Sequence, residues 1–444
     1  MIIIDTALKR RESEGRPIRV GMIGAGFMAR GVANQIINSV PGIRLAAVYA
    51  RKLDQAASVF SYVDTALRPA SVATQAACDD AVAAGRPAIT DDPLLICRAA
   101  GIDAVLDVTG AVELGARVAL DAFSHGKHVV LMNAELDATL GPILQAHART
   151  HGVLLSACDG DQPAVQINLF RFVTGIGLVP RVLGNIKGLQ DPYRTPLTQR
   201  TFAEQWGQRP EMVTSFADGS KVSFEQAVVA NATGMTVAKR GMLAYEHREH
   251  VDTLTGRYDL DMLRSLGGIV EYVVGAQPGP GVFCLAEHTD PRQRHYLHLY
   301  KLGTGPLYAF YTPYHLCHFE APNTIARVVL FGDSAGAPLG GPLVEVCAVA
   351  KRDLKAGERL DGYGGFMTYG EAVSAVERQE RRYLPEGLVE GCTLIRDAPR
   401  DAVLTYDDVA VPADRLCDRL YAEQLAYFPR STAGPTAPPL SPTA

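Results

Sequence analysis

The stretch VGMIGAGFMARG, residues Val20–Gly31, places an apolar run directly before a glycine turn. A continuous apolar run is typical of a strand that is buried on both faces of a parallel sheet. Gly24, Gly26 and Ala29 then follow in a G-x-G-x-x-A pattern. In this pattern the first glycine permits a tight turn, the second lets the backbone approach a pyrophosphate, and the alanine lets a helix pack closely on the strand. A helix predicted over 28–39 would direct its N-terminal amides at the phosphates.

Strand and helix patterns alternate around this turn as far as residue 150. We predict a short amphipathic helix over 5–14 and a helical, Ala-rich scaffold segment over 53–92. The apolar runs predict strands over 18–24, 43–50, 104–110 and 127–133. Such alternation predicts a parallel doubly wound sheet, and so an α/β chain with an N-terminal Rossmann domain over residues 1–155. The alternative is a Rossmann-like domain that has lost its ligand.

The end of the second predicted strand indicates which dinucleotide is bound. It reads Tyr49-Ala50-Arg51-Lys52, and no acidic residue occurs before Asp54. An acid at this point holds the ribose hydroxyls of NAD, whereas an arginine suits the 2′-phosphate of NADP. We therefore expect NADP, with NAD still possible, unless Arg51 and Lys52 form only a solvated helix start. The expected cofactor-binding residues are Gly24, Ala25, Gly26, Phe27, Met28, Arg51, Thr109, Asn133 and Glu135.

Length and composition limit the classes of function. The 444 residues are more than one core usually supports, so two or three domains are expected. The net charge of −5 gives no electrostatic argument for binding nucleic acid or an anionic membrane. The eight cysteines form no Cys-x-x-Cys pair, which favours reduced, buried thiols. The N-terminal apolar run is too short for a signal peptide and no stretch reaches the length of a membrane span, so we expect a cytoplasmic protein.

The middle of the chain carries charged residues at predicted turns. Asp159 and Asp161 form an acidic turn that either faces a cleft or caps the next helix. Lys187 lies at a predicted strand end, where it would polarise a carbonyl or snorkel at a sheet edge. Arg194 would clamp a carboxylate or phosphate, or pair with the nearby Asp191.

Residues 216–242 carry the densest group of small polar and charged side chains. Asp218 and Lys221 share a turn, and Asn231 lies on the predicted helix that follows. Lys239 comes one to two turns later. A buried lysine there would have a shifted pKa and could move protons, whereas the alternative is a solvated helix end.

His315 and His318 lie three residues apart, a spacing that would suit a metal pair. The surrounding stretch reads as a Pro-bounded loop followed by a helix, and Glu320 is too close in sequence to be an obvious third ligand. A structural or substrate-contacting histidine is the preferred interpretation of His315.

Several segments together resemble a known family. They are the glycine turn, KHVVLMNAELDATLGP (127–142), NIKGLQDPYRTP (185–196), DGSK with ANATGM, and PYHLCHFE. These resemble homoserine-dehydrogenase-like oxidoreductases that carry a C-terminal SAF domain, which VCAVAKRDLKAGERLDGYGGF and LPEGLVEGCTLIRDAPRDAVLTYDDVAV resemble. The resemblance covers about residues 15–425. It implies a Rossmann domain over 1–155, an α/β catalytic and dimerisation domain over 156–340, a small β-rich SAF-like domain over 341–425 and a disordered tail over 426–444.

The same resemblance implies a class of chemistry. One group of these enzymes is 1-deoxy-D-xylulose 5-phosphate reductoisomerase-like and belongs to the methylerythritol phosphate pathway of isoprenoid biosynthesis. Another consists of oxidoisomerases of branched sugar acids such as apionate. Both couple rearrangement of a hydroxyketone to hydride transfer, so we expect a sugar phosphate or sugar acid as substrate and a homodimer or higher homo-oligomer. Mg²⁺ or Mn²⁺ would assist such a rearrangement, but the sequence assigns it no ligands.

The expected roles follow from this chemistry. Homoserine dehydrogenases use a segment like DVARK, and the matching TVAKR here holds Thr236 at the acid position, which makes homoserine oxidation doubtful. The expected catalytic residues are Lys187, Lys239, Asp161 and Asp218. The expected substrate-binding residues are Arg194, Lys221, Asn231 and His315. The competing hypotheses are a plain sugar dehydrogenase and an NADP-binding redox sensor without catalysis.

Overall fold

The computed structural model describes residues 3–429. Its N-terminal part is a parallel sheet of seven strands in the order β3-β4-β2-β1-β5-β6-β7. The strands are β1 (Ile18–Ile23), β2 (Ile43–Tyr49), β3 (Ala70–Ser71), β4 (Ala88–Thr90), β5 (Ala104–Asp107), β6 (His128–Leu131) and β7 (Leu155–Ala157). The helices are α1 (Ile4–Ser13), α2 (Phe27–Ser39), α3 (Leu53–Val63), α4 (Gln75–Ala83), α5 (Pro93–Arg98), α6 (Val112–Ser124) and α7 (Ala134–Thr150). The predicted doubly wound α/β sheet is confirmed.

The Ala-rich segment 53–92 differs from its prediction as a helical scaffold. It forms α3 and α4, but it also adds β3 and β4 to the edge of the sheet. These strands have only two and three residues, too few for an apolar alternation to show in the sequence.

The middle of the chain builds a second sheet of five strands in the order β12-β11-β8-β10-β9. Its strands are β8 (Val179–Lys187), β9 (Tyr245–Glu246), β10 (Ile269–Val274), β11 (Gly281–Glu287) and β12 (Leu307–Thr312). Its helices are α8 (Gln162–Gly175), α9 (Pro196–Trp206), α10 (Pro210–Asp218), α11 (Ser220–Thr233), α12 (Leu260–Ser265), α13 (Pro291–Leu299) and α14 (Cys317–Ala326). Helices α8 and α11 cover one face of the sheet, and short helical segments around 251–265 cover the other.

The C-terminal part is a small β-rich unit. It contains β13 (Val344–Ala350), β14 (Thr368–Ser374), β15 (Thr393–Leu394) and β16 (Val409–Ala410), with helices α15 (Ala375–Arg381) and α16 (Leu416–Tyr427). Helix α16 returns to pack on α6 and α7 of the first sheet, and α14 packs on α2. The domain limits at 155, 340 and 425 therefore stay predictions, since elements from beyond the first limit pack on the Rossmann part. The predicted tail begins inside α16, and its residues 430–444 lie outside the described part.

Helix α11 is the element that brings these parts together. Nearly all its residues are buried, and it packs on α7, α8, β13 and β14. No helix among residues 3–429 is long and apolar enough to cross a membrane.

Candidate active site

The glycine turn has the geometry that a dinucleotide needs. Gly24 has φ +118°, and a Cβ there would lie 3.0 Å from the Val108 side chain. In front of Gly26, the N-cap of α2, a Cβ would meet open space. The first turn of α2 receives no side-chain cap from the described residues, so its amides are available to an anion. Ala25, Phe27 and Met28 surround this position and are at least partly exposed.

Arg51 and Lys52 follow β2 at the same edge of the sheet. Both side chains are exposed, and within residues 3–429 neither has an ion-pair partner. Cations without acidic partners beside a ribose site suit a 2′-phosphate.

Asp107, the last residue of β5, is fully buried below the loop that follows it. Its carboxylate accepts hydrogen bonds from the Thr109 amide (2.9 Å), the Thr109 hydroxyl (2.7 Å) and the Asn133 side chain (2.8 Å). Asn133 is itself fully buried and caps α7 through the Leu136 amide at 3.0 Å. The expectation that Asn133 meets the cofactor is therefore corrected, because its amide is engaged inside the fold. Thr109 is partly exposed in the loop after β5, and its expected contact with the cofactor stays a prediction.

The centre of the site is a buried ion pair between two helices. Lys221 in the first turn of α11 donates to Glu135 Oε1 in the first turn of α7 at 3.0 Å. Glu135 is fully buried, and its Oε2 has no hydrogen-bond partner within residues 3–429. A Cβ on Gly110 would lie 3.8 Å from that oxygen, so Oε2 faces the loop after β5. The sequence assigned Glu135 to the cofactor and Lys221 to the substrate. The structure instead joins them in one ion pair, in which Glu135 Oε2 remains available to accept a hydrogen bond.

Burial alone would lower the pKa of Lys221. The facing carboxylates of Glu135 and Asp161 outweigh burial and raise that pKa above its ordinary value. The ammonium is therefore charged at any physiological pH, and residues 3–429 use only one of its three donors.

A second lysine and carboxyl lie beside this pair. Lys187 ends β8, is half-buried and, in the described chain, has no hydrogen bond or ion pair through its side chain. Glu225 lies one turn after Lys221 on α11, and Asn185 donates to its Oε2 at 2.9 Å. Burial raises the pKa of Glu225 to about 8, and the charge of Lys187 is the strongest influence in the opposite direction. At neutral pH Glu225 is mostly a neutral acid.

The charge of Asp161 acts on members of both lysine–carboxyl groups. Asp161 caps α8 by accepting from the Gln162 amide at 3.2 Å, so the capping interpretation is confirmed for this residue, whereas Asp159 pairs with Arg327 at 3.0 Å. The Asp161 charge influences the pKa of Lys221, Glu225 and His315, which places Asp161 inside the cluster.

His315 faces the same group of residues. Burial lowers its pKa, and the charge of Asp161 acts in the opposite direction. Its Nδ1 lies 3.6 Å from Cys317 Sγ, which donates to the Gly160 carbonyl at 3.1 Å. His315 is therefore mostly neutral at neutral pH and available as a hydrogen-bonding group.

The C-terminal unit reaches into this site through Tyr363. Its hydroxyl donates to the Gly110 carbonyl at 2.7 Å, and its ring contacts Phe224 of α11 edge-on, with ring centroids 5.8 Å apart. Burial raises the pKa of Tyr363, so the hydroxyl stays a donor. The Tyr363 side chain therefore connects the loop after β5 with α11, the helix that carries Lys221.

Two of the expected charged residues lie elsewhere. Asp218 pairs with Lys351 at 2.9 Å and accepts from the Ser220 amide, so its acceptor atoms are used inside the fold. Arg194 pairs with Asp191 at 3.0 Å, which is the alternative that the sequence left open. We therefore remove Asp218 and Arg194 from the candidate site.

Asn231 and Lys239 are also placed away from the cluster. Asn231 is buried and bonds the backbone of Val344. Helix α11 ends at Thr233, and Lys239 follows in a turn where its charge acts on Glu271 and Glu371. The roles expected for these two residues are corrected, because Gly234 has φ +83° and redirects the chain after α11.

No metal site is assigned. The described residues contain no group of three or more His, Cys, Asp or Glu arranged to hold an ion, and His315 and His318 form no such pair. Seven of the eight cysteines are buried, which confirms their expected burial, and all eight are free thiols in the structure.

Sequence reasoning missed Glu225 and Tyr363. Glu225 had a signal, because a Lys and a Glu one turn apart in a helix that carries no other charged residue and is mostly apolar or small rarely both face water. Tyr363 had none, since its contact with Gly110 joins residues 253 positions apart.

Two family models match the chain. Residues 24–156 match the model described as "Homoserine dehydrogenase, NAD binding domain", and residues 160–321 match "Oxidoreductase DRL, catalytic domain". The chain is therefore an NAD(P)-dependent oxidoreductase. The models end before the C-terminal unit, so its resemblance to a SAF domain stays a prediction. No curated protein matches the sequence.

The solved structures to which this chain is similar include dehydrogenases and a reductase. Scyllo-inositol dehydrogenase of Lactobacillus casei, with bound NAD(H) and scyllo-inositol, is 15% identical over 61% of this chain and 66% of that chain, with a TM-score of 0.32. Myo-inositol 2-dehydrogenase of Lactobacillus plantarum is 12% identical over 62% and 75%, with a TM-score of 0.35. Biliverdin reductase of Synechocystis, with biliverdin and NADP⁺, is 21% identical over 39% and 48%, with a TM-score of 0.27.

Proposed function

We propose that the chain uses NADP to couple hydride transfer to the rearrangement of a hydroxyketone, with a sugar phosphate as the preferred substrate class. The observation that carries this proposal is the presence of two lysine–carboxyl groups in one buried cluster. They are Lys221 with Glu135 and Lys187 with Glu225, and Asp161 influences the pKa of Lys221 and of Glu225.

Two such groups are more than a simple dehydrogenase needs. Oxidation of one alcohol requires an acid–base group at one oxygen, with hydride leaving the same carbon. A rearrangement of a hydroxyketone moves protons at two neighbouring oxygens before or after the hydride step. The paired arrangement of the cluster supports this second class of reaction.

The cofactor fits the first sheet. The turn of Gly24 and Gly26 would hold the pyrophosphate at the start of α2, and Arg51 would meet the 2′-phosphate. Bound NADPH supplies hydride. Thr109 and Gly110 border the space in which the bound cofactor would approach Glu135.

The cluster residues then have separate tasks. Glu135 Oε2 takes the proton of the substrate hydroxyl as the neighbouring C–C bond shifts to the carbonyl carbon. Glu225, protonated at neutral pH, gives a proton to that carbonyl oxygen, and Lys187 stabilises its developing charge. The new carbonyl accepts hydride, and Glu135 returns its proton to the resulting alkoxide. Glu225 regains one proton from solvent, which balances the reaction.

Loss of NADPH absorbance tests the proposal, with 1-deoxy-D-xylulose 5-phosphate as substrate in the presence of Mg²⁺ or Mn²⁺. NMR of the product should show a rearranged, branched polyol phosphate. A reduced but unrearranged product would make the chain a plain dehydrogenase and contradict the rearrangement.

The remaining outcomes separate the other hypotheses. If NADPH binds but is not consumed, branched and linear sugar acids are tested with NAD⁺ and NADP⁺, and turnover with these would replace the sugar phosphate by a sugar acid. Binding without turnover of either class would favour the redox sensor. The homo-oligomer stays a proposal that light scattering after size exclusion tests.

A further inference from the structure

A groove of about 370 Å³ opens where β9 and β10 end. Its lining residues are Gly188, Glu246, Arg248, Val274, Gly275 and Gln277. We propose that this groove binds the anionic, hydroxyl-rich end of the substrate, with Arg248 contacting the anion. The inference rests on the proposed function, since it locates the part of the substrate that does not react.

The strand register connects the groove to the reactive cluster. Val274 of β10 pairs with Lys187 of β8 on one side and with Glu246 of β9 on the other. Residues paired across parallel strands project from the same face of a sheet, and Asn185, two residues before Lys187, projects there too. Asn185 bonds Glu225 of the cluster. The groove and the cluster therefore lie on one face of the second sheet.

Gly275 lies close to both Lys187 of the cluster and Arg248 of the groove. Its amide donates to the Lys187 carbonyl at 2.8 Å, and a Cβ on it would lie 3.3 Å from Arg248 Cγ and 3.2 Å from the His247 carbonyl. Its φ of +95° is a conformation that favours glycine. The Arg248 stem thus packs next to the residue that follows Val274, and the absence of a side chain at Gly275 keeps the groove open.

The charges in the groove are available to a ligand. Arg248 and Glu246 are exposed, and neither has an ion pair or side-chain hydrogen bond within residues 3–429. Arg194, by contrast, pairs with Asp191, and Arg240 pairs with Glu371 at 2.9 Å. The Arg248 guanidinium is free to bind a phosphate or carboxylate in the bidentate geometry that arginine favours.

The remaining groups suit hydroxyls. The Glu246 carboxylate accepts hydrogen bonds and the Gln277 amide both donates and accepts them. The groove therefore suits a ligand that places an anion at Arg248 and hydroxyls at Glu246 and Gln277. Sugar phosphates and sugar acids share this chemistry. The groove volume lies within the ordinary range for sites that bind small molecules. The carbonyl end of such a ligand would extend toward Lys187.

Isothermal titration with D-ribose 5-phosphate and with D-ribonate, each in saturating NADP⁺, tests the groove. The cofactor occupies the glycine turn, so the anion measured is not the one that the turn would hold. The variants are Arg248→Gln and the control Arg292→Gln, an exposed arginine on α13. We expect at least one probe to bind the unaltered chain and to bind Arg248→Gln about tenfold or more weakly, with no change in the control.

The identity of the bound probe separates the two sources of the anion. Binding of D-ribose 5-phosphate assigns the groove to a phosphate, and binding of D-ribonate assigns it to a carboxylate. Full affinity in Arg248→Gln, an equal loss in the control, or no binding of either probe to the unaltered chain would overturn the inference. NADPH turnover is measured separately, so a failed groove with intact turnover is distinguishable from a failed reaction class with an intact groove.

Discussion

Two buried lysine–carboxylate pairs lie at the two ends of the α10–α11 turn, and they differ in what they leave free. Lys351 donates to Asp218 at 2.9 Å, to the Arg194 carbonyl at 2.8 Å and to the Gly365 carbonyl at 2.9 Å. All three of its protons are used. Among the described residues, Lys221 donates to Glu135 alone, at 3.0 Å, and the second oxygen of that carboxylate is buried without a partner.

The difference separates a structural pair from a reactive one. The Lys351–Asp218 pair joins the end of α10 to the C-terminal unit and has nothing left to offer a ligand. An unsatisfied polar atom in the interior is costly and calls for an explanation, of which catalysis is one. The sequence drew attention to Asp218 and Lys221 equally, because charge and spacing do not show which hydrogen bonds are filled.

The largest contrast is expected from matched amide substitutions of the two carboxylates. Glu135→Gln should lower turnover by about 10²–10⁴-fold, because it removes the group that moves a proton. Asp218→Asn should leave turnover per folded molecule unchanged and lower the free energy of unfolding by about 3–5 kcal/mol, because it leaves Lys351 buried without its counter-charge. Steady-state rates and denaturant melts of both variants check this. Full turnover by Glu135→Gln would show that the Lys221–Glu135 pair is not the reactive one.

The same contrast applies to two arginines: Arg51 has no ion-pair partner in the described part of the chain, and Arg194 is paired with Asp191. Arg51→Gln should weaken NADPH binding by about 10–100-fold, the effect of losing one charge-assisted contact to the 2′-phosphate, and should leave NADH binding unaltered. Arg194→Gln should change neither the Kd for NADPH nor the Kd for NADH. Equal loss of NADPH and NADH affinity in Arg51→Gln would show that the 2′-phosphate is not its contact.

The pH dependence of the rate tests the role of Glu225 in the reactive cluster. Lys187, Asp161, Lys221 and Glu135 act on this carboxyl, and burial raises its pKa to about 8. As an acid it is active below that pH, so the rate should fall about tenfold per pH unit above about 8, and this limb should be absent from Glu225→Gln. A raised carboxyl pKa also means that folding stability falls as pH rises from the unfolded value toward 8, relative to Glu225→Gln. An identical rate limb in both proteins would remove Glu225 from the mechanism.

The smallest effect is expected at Tyr363, whose hydrogen bond is satisfied. Tyr363→Phe removes the contact with Gly110 and should raise KM for NADPH by about 2–10-fold with little change in kcat, because one neutral hydrogen bond is lost. Tyr369→Phe, which loses a bond to Asp401 in the C-terminal unit, is the matched control and should leave KM unchanged. A fall in kcat alone in Tyr363→Phe would argue against a positioning role.

The sequence predicted the first sheet well because its signals are local. Strands predicted over 18–24 and 43–50 occur at Ile18–Ile23 and Ile43–Tyr49, and the helix predicted over 5–14 occurs at Ile4–Ser13. Continuous apolar runs and a glycine turn are sufficient for such elements.

The candidate site was predicted only in part, because its contacts join distant parts of the chain. Lys187, Asp161, Lys221 and His315 were identified as types of residue that do chemistry, and the structure brings them together. Lys239 was expected to continue the helix of Lys221, but that helix ends at Thr233. The partner of Lys221 comes from a helix 86 positions earlier, a contact that no local pattern encodes.

The most direct test of the central claim is the rate of NADPH loss with 1-deoxy-D-xylulose 5-phosphate, measured in parallel on the unaltered chain, Glu135→Gln and Asp218→Asn. The account predicts steady loss of NADPH by the unaltered chain and by folded Asp218→Asn, and about 10²–10⁴-fold slower loss by Glu135→Gln. Equal rates in Glu135→Gln and the unaltered chain would contradict the assignment of the unsatisfied pair as the catalytic one.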